Sequence, residues 1–282
     1  MKNMDKNDEE YSHLSLLNTL RRENLLFKYE KTGADAKDLY FNFIDPLLNE
    51  LSVNNTCYEN DNEDLLCLNK EVTVNSTLNE CYPNIVSETL QYINLTIYKC
   101  TTCEKFTYSA GSETFILCEL GNVINYKKLE VKADLSLKDC FEYIYSREFK
   151  QWAHCMNCNA ERKCLTNNRI AIAPKILFII LDRGKGKKFK NKVGLDVILD
   201  IEDYLDDDYK RRNKNIKYKI VGVVMHNGAS SSSSHYTANC LADNDLYYHF
   251  DDDENPEKID VENVFTKGGD PYLLFYERID ND

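Results

Sequence analysis

Apolar and polar positions divide the chain into a helical opening and a strand-rich remainder. From 11 to 29 (YSHLSLLNTLRRENLLFKY), Leu14, Leu17 and Leu20 fall on one helical face with Leu16 beside them, which predicts an amphipathic helix. A second helix is predicted over 35–51 (DAKDLYFNFIDPLLNEL), where Leu39, Phe43, Leu47 and Leu51 recur every four residues. Pro46 inside it predicts a kink or a break. Residues 52–84 are polar and Asn-rich apart from a short apolar patch at Leu65–Leu68, and read as an irregular connection.

Strand-like segments then dominate, interrupted by one predicted helix at Leu137–Phe149. The run PKILFIIL (174–181) is continuously apolar and predicts a buried strand. Four further apolar runs, at 218–226, 235–242, 246–250 and 271–276, are rich in β-branched and aromatic residues. Asn/Gly/Ser/Asp clusters separate them, so the stretch reads as an antiparallel meander. The serines at 230–234 form a low-complexity linker between two of these strands. RGKGKKFKNK (183–192) reads as a solvated basic loop, and no internal repeat is visible.

Composition narrows the class. With 282 residues, 43% hydrophobic and 29% charged, the chain is globular and has room for two subdomains at about 150 residues each. The net charge of −12 argues against nucleic acid as the main partner, because phosphate binding needs clustered cations. It suits a basic protein partner, although a solvated acidic surface accounts for most of it. The opening MKNMDKNDEEYSHL has charges where a secretory signal has an apolar core, and no apolar run approaches a membrane span. The expectation is an intracellular protein, cytoplasmic and/or nuclear. In that setting eleven cysteines point to metal binding or catalysis rather than disulfides.

Two groups of residues carry chemistry. His235 opens one predicted strand, and Asp251 and Asp252 close the next. A carboxylate beside an imidazole fixes its tautomer and stabilises its charged form, the base–orienter pair of nucleophilic catalysis. Cys100 and Cys103 form one CxxC knuckle, and Cys155 and Cys158 form a second, with 51 residues between them. Two knuckles complete a tetrahedral four-thiolate zinc site, which leaves no open position for water and is therefore structural. Cys118, Cys140 and Cys164 lie in apolar or helical surroundings and read as small core residues.

Taken in order, CxxC, about fifty residues, CxxC, PKILFIIL, HNG…HYTANC, YYHFDDDE and PYLLFYER resemble the ubiquitin-specific protease family of cysteine deubiquitinases. LSLKDCFEYIYSREF (135–149), VILDIEDYL (197–205) and GADAKDLYFNFIDPLLNEL (33–51) are similar to further family segments, so the likeness covers nearly the whole chain. The resemblance implies an α+β, papain-like fold in one unit. Its parts would be a helical thumb part at 11–52, an irregular connection at 53–95, zinc-binding fingers at 96–165 and an antiparallel β palm at 166–279. It implies ubiquitin or a ubiquitinated protein as partner, with neither nucleic acid nor membrane involved. His235 matches the family's catalytic histidine, Asp251 its orienting acid with Asp252 beside it, and Cys100, Cys103, Cys155 and Cys158 its zinc ligands.

The departures concern the nucleophile. The family's cysteine box, Gly-Asn-Thr-Cys-Tyr-x-Asn, should precede the Asp-Ala-x-Glu-Phe helix, but no cysteine stands before Asp35. Asn54-Asn55-Thr56-Cys57-Tyr58-Glu59-Asn60 imitates the box after that helix, in the wrong order. The acidic DNEDLL follows it, where a helix start is needed to lower a thiol pKa. Cys57 therefore reads as a loop cysteine. The family's Leu-Lys-Arg-Phe has become Leu181-Asp182-Arg183-Gly184, and Ser234 replaces the glycine before the histidine. The expectation is a deubiquitinase-like domain without an evident nucleophile. The alternatives are an inactive ubiquitin-binding scaffold or, further off, a zinc-ribbon interaction protein unrelated to ubiquitin.

Overall fold

The computed structural model describes residues 36, 37, 40, 44, 68–80, 84–130, 133–184, 189, 191–213, 215–228 and 235–279. The helix predicted over 11–29 lies outside them, as does Cys57. In chain order the strands are β1 (Tyr92–Cys100), β2 (Phe106–Glu113), β3 (Ile116–Glu119), β4 (Leu135–Ser136), β5 (Phe149–Cys155), β6 (Ala160–Ile172) and β7 (Ile176–Asp182). After these come β8 (Val193–Gly194), β9 (Ile198–Asp200), β10 (Lys217–Asn227), β11 (His235–Leu241), β12 (Tyr247–Phe250), β13 (Glu257–Ile259) and β14 (Asp270–Ile279). The helices are α1 (Lys70–Glu80), α2 (Ile85–Leu90), α3 (Leu120–Lys127), α4 (Leu137–Phe141) and α5 (Asp207–Arg212).

Two mainly antiparallel sheets hold all strands but β4 and β8, which form a separate parallel pair. The smaller sheet runs β2-β1-β6-β5. The larger runs β13-β12-β11-β10-β14-β7-β3, with β9 also pairing β10 and β3 lying parallel to β7. The last run of the predicted meander does not follow its predecessor. β14 returns to pair with β10 on one side and β7 on the other. Its residues Pro271–Leu274 are all buried, and a strand apolar on both faces belongs inside a sheet rather than at its edge.

The same physics explains β7. Leu177, Ile179 and Leu181 face the main core, which includes residues of α3 and α4, while Phe178 and Ile180 face the opposite side. There they meet Tyr272, Ala36, Tyr40 and Ile44. Residues 36, 37, 40 and 44 are helical, and Ala36, Tyr40 and Ile44 share one face at four-residue spacing. Leu39, Phe43, Leu47 and Leu51 of the predicted apolar face lie outside the described residues. The Tyr40 and Phe178 rings are 4.0 Å apart.

Three local expectations are corrected. The supposedly irregular 52–84 contains α1, started by Asn69, whose side chain accepts from the Val72 amide at 3.2 Å. α2 follows, with Asn84 and Ser87 forming a reciprocal cap. Thr and Val in α1 hid it, because β-branched residues are weak helix formers and its burial rests on tertiary contact. The helix expected over Leu137–Phe149 is shorter. A capping box between Ser136 and Asp139 starts α4, one wide turn follows over Glu142–Ser146, and the chain is extended at Arg147. The basic loop is not uniformly solvated either. Arg183 is buried and donates to the Asn191 carbonyl at 2.7 Å and the Pro271 carbonyl at 3.4 Å, which ties the exit of β7 to β14.

Candidate functional site

Adjacent strands of the larger sheet place the predicted pair. β10 and β12 flank β11, and His235, the first residue of β11, sits opposite Asn227 of β10. Asp251 follows the last residue of β12. His235 Nε2 is 2.5 Å from Asp251 Oδ1, within strong hydrogen-bond range. Asp252, in the left-handed region at φ 42°, reaches only to 4.0 Å from Nδ1. Asp251 therefore holds the imidazole directly, and Asp252 is a more distant charge. The hydrogen bond to Asp251 raises the His235 pKa above its ordinary value, with burial opposing and the Asp251 charge adding to the rise. Half-exposed as it is, the imidazole keeps one ring nitrogen for an incoming proton.

Among the described residues His235 makes no hydrogen bond or ion pair with a cysteine. Cys240 shares β11, but an odd spacing of five residues turns it to the opposite face of the sheet. Burial raises its thiol pKa, the reverse of what a nucleophile needs.

A polar rib supports the pair from inside. Thr237 and Asn239 alternate onto the face of His235, and Asn239 pairs directly with His249 of β12. Fully buried, Asn239 donates through Nδ2 to the carbonyls of Val264 (2.9 Å) and Lys267 (3.0 Å). Both amide hydrogens being committed, its Oδ1 can only accept, so His249 Nδ1, 2.7 Å away, carries the proton. The neighbouring loop closes on this rib at Gly268, where φ is +93° and a Cβ would lie 2.2 Å from Thr237 Oγ1. Sequence reasoning missed Asn239, His249 and Gly268. The available signal was a polar residue at even spacing from His235 on a strand flanked by two others.

The two knuckles meet at one end of the smaller sheet. The Sγ atoms of Cys100, Cys103, Cys155 and Cys158 all lie within 4.8 Å of one another, and Cys103 and Cys155 are 3.6 Å apart. A tetrahedral ion with metal–sulfur bonds of about 2.3 Å requires sulfurs about 3.8 Å apart, so the cluster fits a metal. Backbone amides of Thr102 and Cys158 each stand 3.4 Å from a knuckle sulfur and stabilise thiolate there. Burial opposes ionisation of Cys100, but the Cys103 and Thr102 amides bring its thiol down to about 6. Cys158 is pushed up to about 12, mainly by its hydrogen bond with Cys103. Four thiolates so close repel one another unless a cation sits among them. Cys164, buried and directly opposite Cys100, instead points its thiol at the Arg162 carbonyl at 3.7 Å. Cys118 and Cys140 are buried in the main core, as expected of small core residues.

Comparison with known proteins places this architecture. The family model described as ubiquitin carboxyl-terminal hydrolase matches residues 1–276. Ubiquitin carboxyl-terminal hydrolase 17-like protein B of Mus musculus is 26% identical over 181 residues, covering 63% of this chain and 36% of that protein. Ubiquitin carboxyl-terminal hydrolase 10 of Saccharomyces cerevisiae is 28% identical over 153 residues, covering 51% and 18%. Their alignments with this chain thus span about a third or less of these relatives' length. Among solved structures, the SAGA Ubp8/Sgf11/Sus1/Sgf73 DUB module bound to ubiquitin aldehyde superposes with a TM-score of 0.56 at 18% identity. The match covers 74% of this chain and 47% of that one. It bears out the α+β, papain-like fold.

Proposed function

Because the chain belongs to the ubiquitin carboxyl-terminal hydrolase family, we propose that it is a ubiquitin-specific protease-like domain holding the general-base half of a thiol deubiquitinase site. The observation that carries this is the 2.5 Å contact between His235 and Asp251, formed by residues on two strand ends. A thiol brought to the free imidazole nitrogen would transfer its proton there and attack the isopeptide carbonyl after the last ubiquitin residue. The imidazolium would then return that proton to the leaving lysine amine, and water would hydrolyse the thioester. Asp251 holds the ring and stabilises its charge through both steps.

Zinc suits the four-thiol cluster, since soft thiolates at tetrahedral spacing select it over hard cations. Held by Cys100, Cys103, Cys155 and Cys158, it would lock the end of the smaller sheet and take no part in bond cleavage.

The polypeptide by itself is expected to bind ubiquitin and not to cleave conjugates, because no cysteine contacts His235 among the described residues and the box-like segment around Cys57 comes after the Asp-Ala segment that the family's box precedes. Calorimetry with unmodified ubiquitin, and labelling by ubiquitin bearing a C-terminal electrophile, test both halves. Binding without labelling is the expected result. Labelling that vanishes in Cys57→Ala would assign the nucleophile to Cys57, and absent binding would overturn the ubiquitin reading.

A further inference from the structure

One face of the smaller sheet carries a charge pattern opposite to that of the chain as a whole. Direct antiparallel partners share a face, and the register aligns Phe106 of β2, Lys99 of β1, Leu165 of β6 and Lys150 of β5 in one row across all four strands. Lys163 and Trp152 form the next pair on that face. Nearer the base of the sheet, α1 covers the same face, with Val74 packed among Ile97, Tyr108 and Ala110. Among the described residues the upper row has no such cover. Trp152 is 65% exposed and Phe106 45% exposed, and all three lysines are exposed.

Solvation alone does not account for the composition. None of Lys99, Lys150 and Lys163 has a carboxylate partner among the described residues, although the chain has twelve more acids than bases. Lys163 instead lies 5.7 Å from the centre of the Trp152 ring. Two exposed aromatic rings at opposite edges of a rigid four-stranded sheet, with unpaired cations between them, match the anatomy of a protein-binding surface. Three inter-strand spacings of about 4.8 Å and a two-residue offset along β5 separate Phe106 from Trp152 by about 16 Å, which about five extended residues would span.

We propose that this face of the β2-β1-β6-β5 sheet is a docking site for an acidic peptide segment of a partner protein, distinct from the ubiquitin reading of the His235 region. Its carboxylates pair with Lys99, Lys150 and Lys163, and its apolar side chains cover Phe106, Leu165 and Trp152. The charge complementarity identifies the occupant, because a basic or neutral segment would leave the three ammonium groups facing apolar atoms or like charge. The proposal does not depend on the catalytic competence of the chain.

Trp152 is the chain's single tryptophan, so its emission reports this face directly. The probe is a twelve-residue peptide of repeated Glu-Glu-Leu-Phe, compared with its Gln-Gln-Leu-Phe counterpart and with unmodified ubiquitin. The acidic peptide is expected to shift Trp152 emission saturably, with affinity at least tenfold above that of the Gln peptide and falling with added salt. Combined Lys99→Glu, Lys150→Glu and Lys163→Glu changes are expected to lower that affinity at least tenfold. Charge-neutral Lys→Gln versions should lower it less, and both sets should leave ubiquitin binding unchanged. Absent emission shift, equal response to the Gln peptide, or indifference to the triple charge reversal would each overturn the proposal. So would a parallel loss of ubiquitin binding, which would make the face part of the ubiquitin site instead.

Discussion

Asn239 and His249 face each other across β11 and β12, two residues inward of Asp251, and share a 2.7 Å hydrogen bond that holds both strands to the loop ending at Gly268. Removing the amide strands three groups at once, the buried His249 Nδ1–H and Val264 carbonyl and the half-buried Lys267 carbonyl. Asn239→Ala is therefore expected to destabilise the fold by about 3 kcal/mol. Thermal unfolding should show it as a fall in Tm of roughly 6–12 °C.

Asp251→Asn tests the pair itself. The carboxylate raises the His235 pKa in the folded chain, so the variant should bring it back toward about 6.5 or below. Because the folded value lies above the unfolded one, the stabilisation is fully present below about pH 6.5 and fades as pH rises through the folded value. Proton NMR of the His235 ring in both proteins reads this directly. An unchanged titration would show that Asp251 does not govern the imidazole.

The cysteines separate into a four-thiol cluster that fits a metal and thiols outside it. Cys155→Ala removes one of the four clustered sulfurs and is expected to abolish metal uptake and lower Tm, because metal binding and folding are coupled. Cys164→Ala deletes a buried thiol that points at the Arg162 carbonyl and packs beside Cys100 without belonging to the four-sulfur cluster, and should keep one zinc per chain. Elemental analysis of the two variants checks the assignment. Retention in Cys155→Ala or loss in Cys164→Ala would refute it.

Residues whose role depends on local pattern were legible in the sequence. The spacing of Cys100, Cys103, Cys155 and Cys158 and the positions of His235 and Asp251 at strand ends reached the structure as neighbours, since strand alternation and knuckle geometry are short-range rules. What was missed is long-range. The burial of β14 on both faces calls for an interior place, but its run of apolar letters does not name β10 and β7 as its neighbours. Arg183 looked like part of a solvated loop because its partners, the Asn191 and Pro271 carbonyls, lie 8 and 88 residues away. The α1 helix escaped because Thr and Val in its sequence speak for strand, and its contact with β2 overrides them.

The two faces of β7 make the last prediction separable. Phe178 stacks on Phe275 at 4.7 Å and meets Tyr40 at 4.0 Å, so it joins the sheet to the helical face of Ala36, Tyr40 and Ile44. Leu177, next in the chain, points into the main core on the other side. Both are almost fully buried, and either truncation to alanine is expected to cost about 3–5 kcal/mol by cavity formation. Their local effects should differ. Phe178→Ala removes the surface on which Tyr40 rests and should increase hydrogen exchange at residues 36, 37, 40 and 44 well beyond the global loss of stability. Leu177→Ala should raise exchange there only as far as global unfolding does. Equal local responses would mean that the helical segment is not anchored through Phe178.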